Sequence, residues 1–331
     1  MKIALDITSG DLAPKSTING AKNYLSNNPK NNLILIGKKS HYKSIKISSE
    51  YKNRIEFIEA NQSIDANDRP SRVFKTKPDS SIVKSISLLK SKKIDAVVSA
   101  GNTGCLLASS LLILGKIKEI TKPALAAYIP TSEKGFVLCD VGANANNKPN
   151  HLLEFSLMSE AYITYLEGVK NPRVALLNIG NESNKGNELF VDTYNLLDSK
   201  LNNFIGNIES RYLFDNKADI VVCDGFTGNI VLKLIEGLVN KMVNWTKESI
   251  NNHSISKLAR PMLYPVFKDI KKSFDYEEHG GTPLLGVNGI VIKCHGSSNE
   301  KAIEHAISKA EKCIKNDFIK KINISINKLN K

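Results

Sequence analysis

Short apolar runs alternate along the chain with longer amphipathic stretches, and this pattern predicts the elements. Residues 2–7 alternate around a β-branched centre and read as a strand. Further runs of strand length are 32–37 (NLILIG), 54–58 (RIEFI), 94–99 (IDAVVS), 173–178 (RVALLN), 219–223 (DIVVC) and 288–293 (NGIVIK). Segments 124–129 and 135–141 predict two adjacent strands. Helices are predicted from Pro14 to Leu25, from an Asp79-Ser80-Ser81 cap to about Leu89, from Thr103 to Leu114, from Pro149 to about Leu166 and from Lys185 to Leu197. After Thr227, Ile230, Leu234, Leu238 and Met242 recur at a helical period, with Val231, Ile235 and Val239 beside them, and Asn299 caps a final helix. Continuous Val/Ile/Leu runs are what a parallel sheet buried on both faces requires. With no repeat and no linker, one domain over 1–331 is expected.

Residues 251–274 interrupt the alternation. Leu258, Met262, Leu263, Val266 and Phe267 fall on one broad face of a helical segment, ringed by Lys257, Arg260, Lys268, Lys271 and Lys272. Pro261 and Pro265 favour two short helices over one, so a helical protrusion is expected here. Such a face suits an interfacial anchor on anionic lipid or a hairpin packed across a dimer interface, and the residues alone leave both open.

Composition narrows the class. In 331 residues, 41% are hydrophobic and 24% charged, which excludes collagen, coiled coil and wholesale disorder. Forty-six Lys and Arg against 33 Asp and Glu give a net charge of +13. The excess is either solvated lysine or the footprint of an anionic partner: nucleic acid, acidic lipid or an acidic carrier protein. With 7% aromatics and no aromatic–basic interleaving, no nucleic-acid partner is expected. Cys105, Cys139, Cys223, Cys294 and Cys313 form no CxxC pair and sit mostly in apolar runs, as reduced core residues of a cytoplasmic protein do. The chain opens on a strand without a charged-then-apolar leader, and its longest apolar run is far too short to span a bilayer.

Ligands of open parallel sheets bind outside the carboxyl ends of the strands. The predicted strand ends are alike: Asp6 to Asp11, Ser99 to Gly104, Asp140 to Asn144, Asn178 to Glu182, Asp224 to Asn229 and His295 to Ser298 combine Gly with Asn, Asp, Ser or Thr. Six such loops predict a shared crevice of backbone N–H groups and small polar side chains that holds an anion. GxGxxG after a strand, GxxxxGK[ST], HExxH, Cys/His clusters and GxSxG are all missing. Many anion-binding amides without an evident covalent nucleophile suit a reaction whose anion is itself the nucleophile.

These loops carry a resemblance. VVSAGNTGCLLA (97–108), DVGANANNKPNHL (140–152), PRVALLNIGNESNKGNEL (172–189), NFIGNIESR (203–211), VVCDGFTGNIVLKLIEG (221–237) and GGTPLLGVNGIVIKCHGSSNEKA (280–302) resemble, in order and over nearly the whole chain, the bacterial phosphate acyltransferase (PlsX) family. DITSGDLAP (6–14) and RVFKTKPDSS (72–81) fit as well. The resemblance implies an α/β fold: a Rossmann-like three-layer α/β/α sandwich with a mostly parallel sheet, like phosphotransacetylases and isopropylmalate dehydrogenase-like proteins. It implies a homodimer without cofactor or metal that moves a long-chain acyl group from acyl carrier protein to inorganic phosphate. The acyl phosphate then passes to a membrane glycerol-3-phosphate acyltransferase, for phosphatidic acid synthesis. Ile7, Thr8 and Ser9 depart from the family's usual Ala-Met-Gly. Asn146 and Asn181 stand where acids are usual, and Cys105 and Thr282 where Ala is.

In that light Lys185 is expected to neutralise phosphate or the transition state, the alternative being a solvated lysine. Asn229, at the mouth of the long helix, is expected to donate to the thioester oxygen, the alternative being a helix cap; Thr227 and Gly228 accompany it. Asn102, Thr103 and Gly104 begin a helix directly after a strand, a second phosphate candidate against plain capping. Asn144 with Lys148, and Ser297 with Ser298, line the same edge, and His295 lies in the same glycine-rich loop, the alternative for it being a structural hydrogen bond to a neighbouring loop. Arg211 fits an acidic group or a subunit contact. The competing readings are a short-chain phosphotransacetylase using acyl-CoA, a decarboxylating dehydrogenase, for which no metal-binding Asp set is present, and a basic binding protein without activity.

Overall fold

The computed structural model describes residues 1–43, 51, 53–65, 67–131, 134–252 and 280–327. Leu258, Met262, Leu263, Val266 and Phe267, and with them the expected protrusion at 251–274 beyond Asn252, lie outside the described residues.

Eleven strands among the described residues form one sheet: β1 (Ile3–Asp6), β2 (Leu33–Gly37), β3 (Ile55–Glu59), β4 (Ala96–Ser99), β5 (Ala124–Ile129), β6 (Phe136–Cys139), β7 (Val174–Asn178), β8 (Phe204–Glu209), β9 (Ile220–Val222), β10 (Thr282–Leu285) and β11 (Ile290–Lys293), in the order β3-β2-β1-β4-β11-β10-β5-β6-β9-β7-β8. Most pairings are parallel, but β10 is antiparallel to β11 and β5, and β5 to β6. The block β3-β2-β1-β4-β11 therefore runs opposite to the block β6-β9-β7-β8.

The strands are buried on both faces because their side chains alternate between two cores. Ile3, Leu5, Leu33 and Val98 point into one; Ala4, Ile34, Ile36 and Val97 into the other. The first core is covered by α1 (Lys15–Asn27), α6 (Pro149–Leu166), α9 (Glu300–Lys315) and α10 (Phe318–Asn327). The second is covered by α4 (Ser81–Lys90), α5 (Thr103–Ser109) with its π-helical extension to Leu114, and α8 (Gly225–Asn252). This is the expected three-layer arrangement. Helices α2 (Lys39–Lys43), α3 (Pro70–Thr76) and α7 (Glu188–Lys200) complete the set.

Elements the pattern does not show are β8, β10, α2, α3 and α10. β8 is an edge strand, mostly half-exposed and interrupted by Gly206 and Asn207, so it lacks an apolar run. β10 is four residues long and contains Pro283, which cannot donate to a ladder and ordinarily argues against a central strand.

Candidate active site

The six strand-end loops do not line the one shared crevice expected, because the two blocks of the sheet run in opposite senses. They sort into two groups, and the long helix α8 connects them.

The first group gathers the ends of β1, β4 and β11. Asp6 is fully buried. Its Oδ2 accepts from Ser99 Oγ (2.7 Å), and its Oδ1 from the N–H groups of Thr8 (3.0 Å) and Ser9 (3.3 Å). Asp11 N–H donates to the Gly296 carbonyl at 2.7 Å. Gly10 has φ +112°, and a Cβ there would lie 3.0 Å from Ala100 Cβ and 3.2 Å from Gly296 O, so glycine is needed both for its dihedral and for the contact between loops. Asn102 caps α5, its Oδ1 accepting from Cys105 N–H at 3.0 Å. Thr103 and Gly104 form the first turn, against Pro70 of α3.

The second group gathers the ends of β6 and β9 around Asp140, also fully buried. Oδ1 accepts from Leu125 and Ala143 N–H, each at 3.0 Å; Oδ2 accepts from Asn144 N–H (2.8 Å) and Nδ2 (2.9 Å). Burial pushes this carboxyl above its ordinary range, and the hydrogen bonds pull the other way. Asn144 also donates to Pro123 O at 2.7 Å, and its carbonyl accepts from Gly225 N–H at 2.9 Å. Both amide hydrogens of Asn144 are thus spent inside the protein: it braces the loop to α8. Asp224, not Asn229, caps α8. Phe226 and Thr227 N–H donate to its Oδ1 at 3.0 Å, and Thr227 Oγ1 to its Oδ2 at 2.6 Å. Gly228 is packed so closely that a Cβ would overlap the Asp140 carbonyl oxygen and lie 2.8 Å from Cys223 Sγ. Asn229 follows one turn into the helix, beside Gly142, where a built Cβ would meet Asn229 Cγ at 3.3 Å. Lys148 is exposed just before α6, its N–H donating to His151 Nδ1 at 3.1 Å.

Lys185 lies in the loop before α7, which begins at Glu188 rather than at Lys185 as the pattern predicts. Its Nζ is 3.6 Å from Glu182 Oε1, in an exposed pair. The loop is fixed by Asn178 Nδ2 donating to Lys185 O (2.9 Å) and by Asn207 Nδ2 donating to Glu182 O (2.7 Å). Arg211 pairs with Glu209 at 2.9 Å, the carboxylate that also accepts from Asn181. The structure therefore joins Thr227, Gly228, Asn229 and Asn144 directly, and sets Lys185 on the neighbouring strand end.

Helix α8 leaves the second group and runs to the first. Leu232 is buried in the second core, with Val231 and Ile235 packed beside it. One turn beyond Leu232, Glu236 lies in the field of His295; burial pushes its carboxyl up, and His295 and Lys233 oppose this. His295 is exposed, with Nδ1 2.7 Å from Ser297 Oγ and accepting from Ser297 N–H at 3.2 Å. Lys293 ends β11 and donates to the Cys294 carbonyl. Burial pushes its ammonium below the usual lysine range, against Cys294 and Asp11. Sequence reasoning missed Asp140, Glu236 and Lys293. The available signal was a charge closing an otherwise apolar strand, in IVIK and in VLCD. Among the described residues, no cluster of three or more His, Cys, Asp or Glu is arranged to hold a metal ion.

The mostly parallel sheet and its flanking helices define an α/β fold shared with phosphotransacetylases. The structure is similar to EutD phosphotransacetylase from Staphylococcus aureus (TM-score 0.56, 14% identity, 94% of each chain covered) and to a phosphotransacetylase from Streptococcus pyogenes (TM-score 0.58, 16% identity, 95% of this chain and 94% of that one). These likenesses show the fold. In sequence the chain is 44% identical over 332 residues to a phosphate acyltransferase of Dictyoglomus turgidum, covering 99% of this chain and 98% of that one. It is 44% identical over 323 residues to a phosphate acyltransferase of Desulfitobacterium hafniense, covering 97% and 96%. The family model described as "Fatty acid synthesis protein" matches residues 1–321, and the chain belongs to that family, the phosphate acyltransferases. It is an acyltransferase.

Proposed function

We propose that the protein transfers a long-chain acyl group from the thioester of acyl carrier protein to inorganic phosphate, giving acyl phosphate and free carrier for phosphatidic acid synthesis. The observation that carries this reading is 44% identity to phosphate acyltransferases over 99% of the chain. The site supports it, since it offers amides and cations in place of a covalent nucleophile. A phosphate oxygen adds to the thioester carbonyl; the tetrahedral oxyanion collapses, the C–S bond breaks and the thiolate leaves with the carrier. Donors aimed at the developing charge then contribute the largest part of the acceleration.

In this reading Asn229, whose amide is not engaged by a described residue, donates to the thioester oxygen beside the α8 N-terminus, with Thr227 and Gly228 forming that terminus. Lys185 neutralises phosphate; its exposed contact with Glu182 is of the kind worth little, so an anion displaces it at small cost. Asn102, Thr103, Gly104, Lys148, His295 and Ser297 contribute to substrate binding, and Asn144 acts as a brace. Phosphate attacks directly, without cofactor or metal.

We assign the second copy of a homodimer to α8. Its Phe226, Ile230, Leu234, Leu238, Met242 and Trp245 are 48–64% exposed at helical spacing, an apolar stripe that a soluble surface rarely leaves open. No described helix is long and apolar enough to cross a membrane. A cytoplasmic protein in peripheral contact with the inner face of the membrane, through Leu258, Met262, Leu263, Val266 and Phe267, suits delivery of acyl phosphate to a membrane glycerol-3-phosphate acyltransferase. Vesicle binding by wild type that is lost in a Leu263→Glu, Phe267→Glu variant tests that contact.

The deciding assay is incubation with palmitoyl carrier protein and phosphate. Acyl phosphate and phosphate-dependent loss of thioester are expected. Thioester that is stable in phosphate overturns the reading, and activity on acetyl-CoA with indifference to the carrier favours the short-chain alternative.

A further inference from the structure

The mechanism above leaves Lys293 unused, yet its placement calls for a partner. It closes β11, a strand between β4 and β10 in the interior of the sheet, where Val291 is 1% and Ile292 0% exposed. Val291 belongs to the second core and Ile292 to the first, so Lys293 projects on the side of Val291, the face that α8 covers. A lysine at a strand end ordinarily extends its stem and keeps the ammonium in water. Here the half-buried ammonium turns back to the carbonyl of Cys294. No described carboxylate forms an ion pair with it. Asp11 acts on it only through its field, while Asp11 N–H is held by Gly296. An ammonium has three donors, and the Cys294 carbonyl takes one. A partly desolvated cation with two spare donors is poised for an anion.

Its surroundings mix donors with two carboxylates, Glu236 of α8 in the field of His295 and Asp11 against Gly296, so an anion here has to be held by the donors of the loop. Two residues on, His295 Nδ1 accepts from Ser297 N–H, which places the proton of the neutral ring on Nε2 as a further donor. Gly296 O is occupied by Asp11 N–H, so the loop presents donors rather than that carbonyl.

We propose that Lys293 binds a phosphoryl group of a substrate beside the loop 293–297. Two substrates of the acyl-transfer reading carry that chemistry: inorganic phosphate, and the phosphodiester of the carrier's thiol-bearing arm. The proposal takes its substrates from that reading, so binding is measured apart from turnover. Equilibrium binding of radiolabelled phosphate and of acyl carrier protein is compared for wild type, Lys293→Met and Lys293→Arg, with folding checked by thermal unfolding. Losing one charge-assisted contact predicts an affinity about 10- to 100-fold weaker for Lys293→Met, with Lys293→Arg recovering part of it. Weakening for phosphate alone assigns the phosphate site; weakening for the carrier alone assigns its phosphodiester.

A side chain that serves only packing predicts no difference between the Met and Arg variants, and unchanged affinity for both ligands in folded Lys293→Met overturns the proposal. If that variant does not fold, wild type decides. Amine labelling of Lys293 at pH 8, read by mass spectrometry, is expected to be suppressed by phosphate or carrier, and labelling indifferent to both overturns the proposal. Should wild type bind phosphate at Lys293 yet fail to form acyl phosphate, the acyl-transfer reading falls and the anion site stands.

Discussion

Helix α8 carries two glycines whose replacement by alanine is expected to act in opposite directions. At Gly228 a methyl group would overlap the Asp140 carbonyl oxygen and stand 2.8 Å from Cys223 Sγ, both in rigid surroundings at the ends of β6 and β9. A comfortable contact is about 3.5–4.0 Å, so the start of α8 has to retreat by roughly 1 Å from Cys223 Sγ and by more than that from the Asp140 oxygen. Overpacking of this kind costs about 1–3 kcal/mol. Asn229 is the next residue and moves with the helix, and a misplacement of about 1 Å at a reacting centre costs on the order of 10²-fold in rate. At Gly237 nothing lies within 4 Å of the added methyl. There the only change is backbone entropy and helix propensity, worth about 0.5–1 kcal/mol in favour of alanine. The comparison is made by urea unfolding and by acyl-phosphate formation from palmitoyl carrier protein. Gly228→Ala is expected to be less stable by about 1–3 kcal/mol and slower by about 10²-fold, with Gly237→Ala slightly more stable and fully active. Wild-type rate and stability in Gly228→Ala would refute the tight seat of α8 on Asp140, as would equal losses in both variants.

Four further outcomes are expected. Lys185→Ala and Asn229→Ala should each lower turnover by about 10²-fold or more while the protein stays folded, and wild-type turnover in a folded variant removes that residue from the mechanism. The apparent KM for the acidic carrier should rise with salt as charges are screened over about 8–10 Å, whereas a flat salt profile assigns the +13 net charge another purpose. Replacing Leu234 and Leu238 with Glu should convert a dimer to a monomer in sedimentation, and an unchanged sedimentation coefficient frees the α8 stripe from that role. Asp219, nearly buried, would be raised by burial, but Arg173, with Nε 3.0 Å from Oδ2, outweighs this and holds its carboxyl below the ordinary 3.8. A depressed acid stabilises the fold above its unfolded pKa and loses that contribution as pH falls through the folded one. Asp219→Asn is therefore expected to cost about 1–2 kcal/mol at pH 7 and progressively less below pH 3.8; a cost independent of pH contradicts the ion pair.

Much of the fold is written locally. Apolar runs such as IALD, LILIG and VALLN can bury both faces only in a covered sheet, and caps such as Asn102, Asn299 and Ser80 hold the helix starts where the pattern predicts them. The glycine and asparagine loops at the strand ends were likewise legible, because tight turns between a strand and a helix restrict residue type at each position. Strand direction was not. Whether β6 runs with β1 or against it depends on the antiparallel insertion of β10 and β5, and β10 is a four-residue strand containing proline, seated between its chain neighbour β11 and the distant β5. Hence the loops predict one shared crevice, and the tertiary structure sorts them into two groups bridged by α8. The same limit explains the residues. Asn144 looks like a free donor in sequence, since no local pattern shows that its amide is spent on Asp140 and Pro123. Lys293 looks like an ordinary strand-end lysine until β4, β10 and the neighbouring loops close around it. Propensity acts between neighbours in the chain, whereas burial and hydrogen-bond partners are decided by segments that meet only when the sheet assembles.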